Sequence, residues 1–583
     1  MFFQRLKFQS LLLTVIITLA FLCAIPFQSV KAENVDPSME DMTEEKPYPG
    51  SLPPQELSAK VFYQVMLAEV AGQRNRLNLA VNTYLELARS TKDPRVSQRA
   101  TEVALFAQNA KSALEASKLW AEQDPESDRA RQTVTGLLVG EGKLSEARPY
   151  LDKMFAKSGM QVGNLFMNLH SLLGRQTDKA AVLEVVSALA KPYNTVPEAY
   201  YAVALAAMDA NQNDLAKTAL QQAEKNRPGW EPAALLQAQM LQAGKNPQAL
   251  VLFYRSFLEK YPKSQDVRLM YARLLVDEKA YDSAREQFEI LLKNAPGNPE
   301  MSLAVGLLSM ELKDFPKAEL HMKNVLAFGY REPDTARYYL GQIREEQQDW
   351  AGAIQWYSKV EKGDQYVPAR LRVAAMLAKQ KRLKEARDLI HDLPAETPQQ
   401  KVLLIQADAQ LLNDNKDYQG AYDALTMGLE KVPDSVDLLY DRAMVADKLN
   451  RFKLLEADLR KIIALKPDHA HALNALGYSL ADRTDRFSEA YELIQKAIVL
   501  LPDDPFIMDS LGWVQFRLNK LQESEKTLRK AFSRQPDPEI AAHLAEVIFK
   551  QGRTEEAAKF LKLNLEAHPE SEVLRSAIEQ FHP

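Results

Sequence analysis

The sequence predicts an all-α protein, wound as a right-handed α-solenoid of about fifteen stacked helix-turn-helix units. Three observations carry that fold class. Prolines recur at a nearly constant interval of about 34 residues, and such self-similarity marks a repeat architecture. Within each interval, small and large apolar residues recur at helical spacing. Glycine is scarce, at 21 of 583 residues, well under the ~7% of average usage. That scarcity removes the phosphate-cradling loops and tight hairpins on which most nucleotide-binding and all-β folds depend.

The first element, residues 1–32, reads as a secretory signal peptide. Arg5 and Lys7 form a short positive region, an apolar run extends from about Leu11 to Ile25, and Pro26 breaks it. Val30-Lys31-Ala32 then supplies a small residue for cleavage between Ala32 and Glu33. An uncleaved membrane anchor is the competing reading, because the run approaches spanning length. Cys23, the single cysteine, follows Leu22 and Phe21. A lipid-modified cysteine would follow a small residue, so Cys23 reads as part of the apolar run and a lipid anchor there as the lesser alternative. Cleavage would leave a chain without cysteine, compatible with an oxidising compartment. It would also move the net charge from −5 to −8, since the leader carries three cations and no acid. Residues 33–57 come next, acidic and rich in proline (Pro37, Pro47, Pro49, Pro53 and Pro54), and read as a flexible tether.

Residues 58–575 are the repeat array, and 576–583 a short tail. Pro228, Pro262 and Pro296 are 34 residues apart, and Pro398, Pro433, Pro467, Pro502, Pro536 and Pro569 follow at 35, 34, 35, 34 and 33. The span from Pro94 to Pro569 is 475 residues, or fourteen units of 33.9, with one more unit before it. Leu340-Gly341, Leu476-Gly477 and Leu511-Gly512 fall at the seventh and eighth places of their units. Ala216, Ala284, Phe288 and Leu528 hold later places. Small residues let two helices approach, and larger ones fill the gap between them. Proline stops the second helix, and the aspartates after it (Asp434, Asp468, Asp503 and Asp537) are expected to cap the next one. One unit cannot cover its own apolar face, so the units must stack.

This period, with its Leu-Gly pair and closing proline, resembles the tetratricopeptide repeat (TPR). The match is best over residues 434–569, through ALNALGYSLADRTDRFSEAYELI (Ala472 to Ile494), DSLGWVQFRL (Asp509 to Leu518) and PDPEIAAHLAEVIFKQG (Pro536 to Gly552). That run is similar to the exported TPR proteins of Gram-negative proteobacteria, among them adaptor lipoproteins of periplasmic C-terminal processing proteases. The resemblance implies a periplasmic chain, held at the outer membrane indirectly or through Cys23. Its partners would be envelope proteins, including a processing protease and its substrates. A structural subunit of an envelope export or assembly machine, for polysaccharide or pilus, is the alternative that long TPR arrays also allow.

Chemistry is hard to place on this chain. With 73 basic and 78 acidic side chains there is no cationic excess to neutralise phosphates, which argues against a nucleic-acid partner. One cysteine and eight histidines leave little material for a metal centre. His469 and His471 lie two apart at a helix start without a third ligand, and are expected at a solvated N-terminus. No His-Glu-x-x-His, Gly-x-Ser-x-Gly or Walker-type glycine loop occurs. Glu345-Glu346 and Glu555-Glu556 are expected on solvated helix faces. The reading is therefore non-catalytic, with no cofactor and no metal.

Binding is the natural alternative. In TPR arrays the first helix of each unit lines the concave face, with about the second, fifth, ninth, twelfth and thirteenth places pointing inward. This gives His471, Asn474 and Tyr478 in one unit, then Phe506, Asp509, Trp513, Phe516 and Arg517, and finally Ile540 and His543. Aromatics beside Arg and Asn suit an extended peptide. Packing of Trp513 and Phe516 against a neighbouring unit is the competing expectation. The Lys/Asn clamp that holds a peptide carboxylate in some eukaryotic TPR domains is absent, because Asn474/Tyr478 and Asp509/Trp513 occupy its places.

Overall fold

The computed structural model describes residues 58–581 together with Leu52. The expected signal peptide, its Ala32/Glu33 junction, Cys23 and most of the tether lie outside the described residues. Among the described residues there are thirty-one α-helices, numbered α1 to α31 in chain order, one 3-10 turn at Gly159–Gln161 and no strand. They make fifteen helix pairs and a last single helix. Two compact units divide them at Pro296/Gly297. The N-terminal unit runs from α1 (Ala59–Gln73) to α14 (Tyr281–Asn294), and the C-terminal unit from α15 (Pro299–Glu311) to α31 (Glu572–Phe581). The boundary expected at residue 575 falls inside α31.

Within a pair the two helices bury themselves differently. In α27 (Pro505–Arg517) every residue from Ile507 to Gln515 is buried, because this first helix packs against helices on both sides and against its own partner. Its partner α28 (Leu521–Arg534) buries only Ser524, Leu528 and Ala531, one stripe at helical spacing. The Leu-Gly pair sets their approach. A Cβ at Gly512 would lie 2.5 Å from Leu528 Cγ, and one at Gly477 would lie 2.5 Å from Ile494 Cγ1 and 2.9 Å from the Ala490 carbonyl.

The turn inside each pair shows why the chain manages with so little glycine. In thirteen of the fifteen pairs one residue there adopts left-handed φ, a conformation usually given to glycine after a helix. Here it is Asn75, Gln108, Asn211, Lys245, Lys279, Lys313, Gln348, Lys381, Lys416, Asn450 or Asn519, with φ between 54° and 62°. Only Gly142 and Gly552 supply glycine at that place.

The caps between pairs correct the expectation drawn from Pro-Asp. Asp537 does cap α29 (Pro538–Lys550), accepting from the Glu539 backbone N–H at 2.8 Å. In the other three units the cap stands one residue later, at Ser435, His469 and Asp504. The chain needs one more residue to turn before those helices start. Asp503 and Asp434 meet cations instead, Arg534 at 2.7 Å and Lys461 at 3.0 Å.

Candidate protein-docking face

The site residues named from the sequence converge on α25 (Ala470–Arg483), α27 and α29, the first helices of three successive pairs in the C-terminal unit. At the centre lies an ion pair between units. His543 Nδ1 is 3.0 Å from both carboxylate oxygens of Asp509, and both residues are buried. Burial opposes the charge on His543. The Asp509 carboxylate outweighs that, with Glu539 and Glu546 adding to it, so the imidazole pKa is held above its ordinary value.

Aromatic rings close around this pair. Trp513 stacks on His543 at 4.3 Å and on Phe516 at 5.2 Å, with interplanar angles of 23° and 28°. Tyr478 lies 6.1 Å from the His543 ring, and its hydroxyl donates to Glu539 Oε1 at 3.3 Å. That bond joins α25 to α29 across the intervening pair. Burial, reinforced by Glu539, raises the Tyr478 phenol well above its usual range.

Trp513 is only 8% exposed, so its ring faces are occupied by neighbours and its indole Nε1 is buried without a hydrogen-bond partner. Phe506 differs, standing 49% exposed in the first turn of α27. Arg517 is half-buried, its guanidinium 4.8 Å from the Phe487 ring and 3.3 Å from the Asp482 carbonyl. Asn474 is half-buried with its side-chain oxygen unpartnered, and His471 is exposed at the start of α25. Ile540 does not belong to the face: it is fully buried beside Met508 and Ala531.

Sequence reasoning missed two carboxylates here. Counting from Pro538 as the first place of α29 puts Glu539 second and Glu546 ninth, a signal available in the sequence. Glu546 is half-buried, and burial holds its pKa above the ordinary Glu range while His543 and Arg517 offset part of that. The rim therefore combines exposed Phe506, His471 and acidic Glu539 and Asp482 with half-buried Arg517.

The weak chemical candidates resolve into structure. His469 caps α25, its Nδ1 accepting from the Ala472 backbone N–H at 3.1 Å. Among the described residues no three His, Cys, Asp or Glu side chains are grouped to hold a metal ion. Glu555, Glu556 and Glu346 are exposed as expected, but Glu345 is not. It is buried on α17 (Pro333–Glu346), where it accepts from the Tyr357 hydroxyl at 2.9 Å and pairs with Arg372 at 3.3 Å. Glu345 falls at the twelfth place of its unit, an inward place that adjacency to Glu346 concealed.

Family models described as tetratricopeptide repeat match residues 201–265, 240–308, 303–368, 440–505 and 510–572. The TPR repeat-containing protein PA4667 of Pseudomonas aeruginosa is 34% identical over 488 residues, covering 83% of this chain and 82% of that protein. The chain belongs to the tetratricopeptide repeat family. Two solved structures are more distant. Yeast Tom70 is 14% identical over 90% of this chain and 95% of its own, with a TM-score of 0.34. A thermophilic TPR protein of Thermus thermophilus is 22% identical over 32% of this chain and 98% of its own, with a TM-score of 0.28. TPR repeats are scaffolds for protein–protein interaction, and that much of the function follows from the family.

Proposed function

We propose that this TPR protein is a periplasmic adaptor that gathers protein partners in the cell envelope and delivers substrates to a C-terminal processing protease. The observation that carries the docking part of the proposal is the face on α25, α27 and α29. A buried His543–Asp509 pair and stacked rings hold it rigid, and Phe506, Arg517 and carboxylates line its rim. A face already ordered before binding avoids much of the entropy cost of association. The Trp513–His543 stack serves as the floor, and the exposed rim makes the contacts.

The test is affinity purification of the chain from envelope extract, beside a Phe506→Ala/Arg517→Ala variant, with partners identified by mass spectrometry. The proposal expects a processing protease and its substrates, with one class depleted at least several-fold in the variant. It also expects the purified protease to cleave those substrates faster when the chain is added. Recovery of export-machine subunits in their place, or equal cleavage with and without the chain, would overturn the adaptor reading.

A further inference from the structure

The docking face carries more negative charge than it neutralises. Glu546, in the third turn of α29, is half-buried and makes no hydrogen bond or ion pair among the described residues. Burial holds its carboxyl above the ordinary range; His543, Arg517 and Lys550 relieve part of that, and Asp482 adds to it. Asp482 gives Arg517 only its backbone carbonyl, so its own carboxylate is unpaired, and the Glu539 carboxylate meets only the Tyr478 hydroxyl. Tyr478 feels the charge of both Glu539 and Asp482, as Glu546 feels that of Asp482, which sets the three acids round one aromatic floor. Polar atoms of that floor are unsatisfied as well. Trp513 is more than nine-tenths buried and its indole N–H lacks an acceptor, while the Asn474 side-chain oxygen lacks a donor. Folded chains rarely leave such groups orphaned, because an unpaired buried polar atom is costly.

Taking that face as the docking site, we infer that the partner protein presents an extended segment whose arginine or lysine side chain enters among Asp482, Glu539 and Glu546. A cation there supplies the charge the three carboxylates lack. Tyr478 and Phe516, both half-buried, offer it aromatic surface. The backbone of the segment carries an N–H and a C=O at each residue, the two groups that the Asn474 oxygen and the Trp513 indole require. A metal ion does not fit, because among the described residues no three His, Cys, Asp or Glu side chains group closely enough to hold one. Anionic lipid and nucleic acid would be repelled by the same carboxylates. An acidic segment would be repelled too, so the face selects by charge as well as by shape.

Affinity selection on the full chain, purified as its host processes it, tests this with a random library of short peptides blocked at both ends. Blocking removes terminal charges, so the selection reads side chains. Arginine or lysine should be enriched among the retained peptides. The best binder should weaken at least about tenfold when neutral citrulline or norleucine replaces that cation. Glu546→Gln should abolish this preference, whereas Glu555→Gln, at an exposed carboxylate of α30 (Thr554–Ala567), should leave it intact. The urea midpoint of Glu546→Gln should not fall, because the folded chain already disfavours that charge. A library with no retained peptide, or with no cationic enrichment, overturns the inference. So does a preference that survives Glu546→Gln or fades equally in Glu555→Gln, or a lower urea midpoint, which would mark Glu546 as structural. No protease enters this assay, so a cation preference can stand where faster cleavage fails, and the reverse.

Discussion

The two compact units share one repeat and hold most of their buried charge in different ways. In the N-terminal unit the buried arginines grip chiefly neutral groups, above all carbonyls of the loop that precedes them, and Arg131 also pairs with the exposed Asp128 carboxylate. Arg131 donates to the Pro125 and Glu126 carbonyls, and Arg268 to the Pro262 carbonyl at 2.8 Å and the Gln287 side chain at 2.6 Å. Each stands six residues after its proline, so each locks the turn that starts its helix. In the C-terminal unit the buried charges meet opposite charges on another helix. Glu345 meets Arg372, Asp408 meets Arg387 at 2.7 Å, Asp458 meets Arg442 at 2.7 Å and Asp509 meets His543. One unit uses charge to fasten loops and the other to fasten helices together. The lesson is that the C-terminal unit should be the more vulnerable to losing one partner, because what remains there is a buried ion.

The sharpest way to break that contrast is Arg372→Ala. It strands the Glu345 carboxylate in the core and should cost the C-terminal unit about 3–5 kcal/mol, read by urea unfolding with hydrogen exchange resolving the two units. Replacing both partners, as Arg372→Met with Glu345→Leu, should recover most of that loss. A double variant as damaged as the single one would mean that packing, not charge, explains the effect.

Arg268→Met in the N-terminal unit should cost less, about 1–3 kcal/mol, since it frees a carbonyl and an amide and leaves no bare charge. If its cost matched that of Arg372→Ala, the distinction between the two units would fall.

Acidity supplies a smaller effect confined to one unit. The His543 pKa is raised in the folded chain, so the stabilisation from its charge is fully present below its unfolded pKa of about 6.5. It is lost as pH rises through the higher folded value. Protection of α27 and α29 amides, corrected for intrinsic exchange, should therefore fall between neutral and alkaline pH, and His543→Gln should flatten that slope. An equal slope in the variant would assign the effect to other groups.

The smallest expected effect treats the units alike. Lys279→Gly and Lys381→Gly relieve left-handed backbone while adding unfolded-state freedom, so each should raise stability by no more than about 1 kcal/mol. Loss at either site would show that the lysine side chain itself contributes.

Much of this architecture was legible in the residues. Proline spacing gave the period and the number of pairs, and the Leu-Gly pair gave the close approach seen at Gly477 and Gly512. Legibility failed where one residue of register mattered. Pro-Asp looked like a cap, yet Ser435, His469 and Asp504 hold that role one place later. Adjacency made Glu345 look solvated, whereas its place on α17 turns it inward. On the docking face, Tyr478, Asp509, Trp513 and His543 come together, but Ile540 is core and Glu539 and Glu546 were passed over.

By itself, then, the sequence determined the class of fold and the length of the repeat. These depend on periodicity, proline and side-chain size, which act within a single unit. Only the tertiary structure decided which inward side chains are spent on one another and which remain for a partner. Trp513 and Phe506 sit on the same helix seven places apart, yet one is walled in by His543 and the other stands open. That outcome depends on side chains a full repeat away, and no local pattern specifies how they will meet.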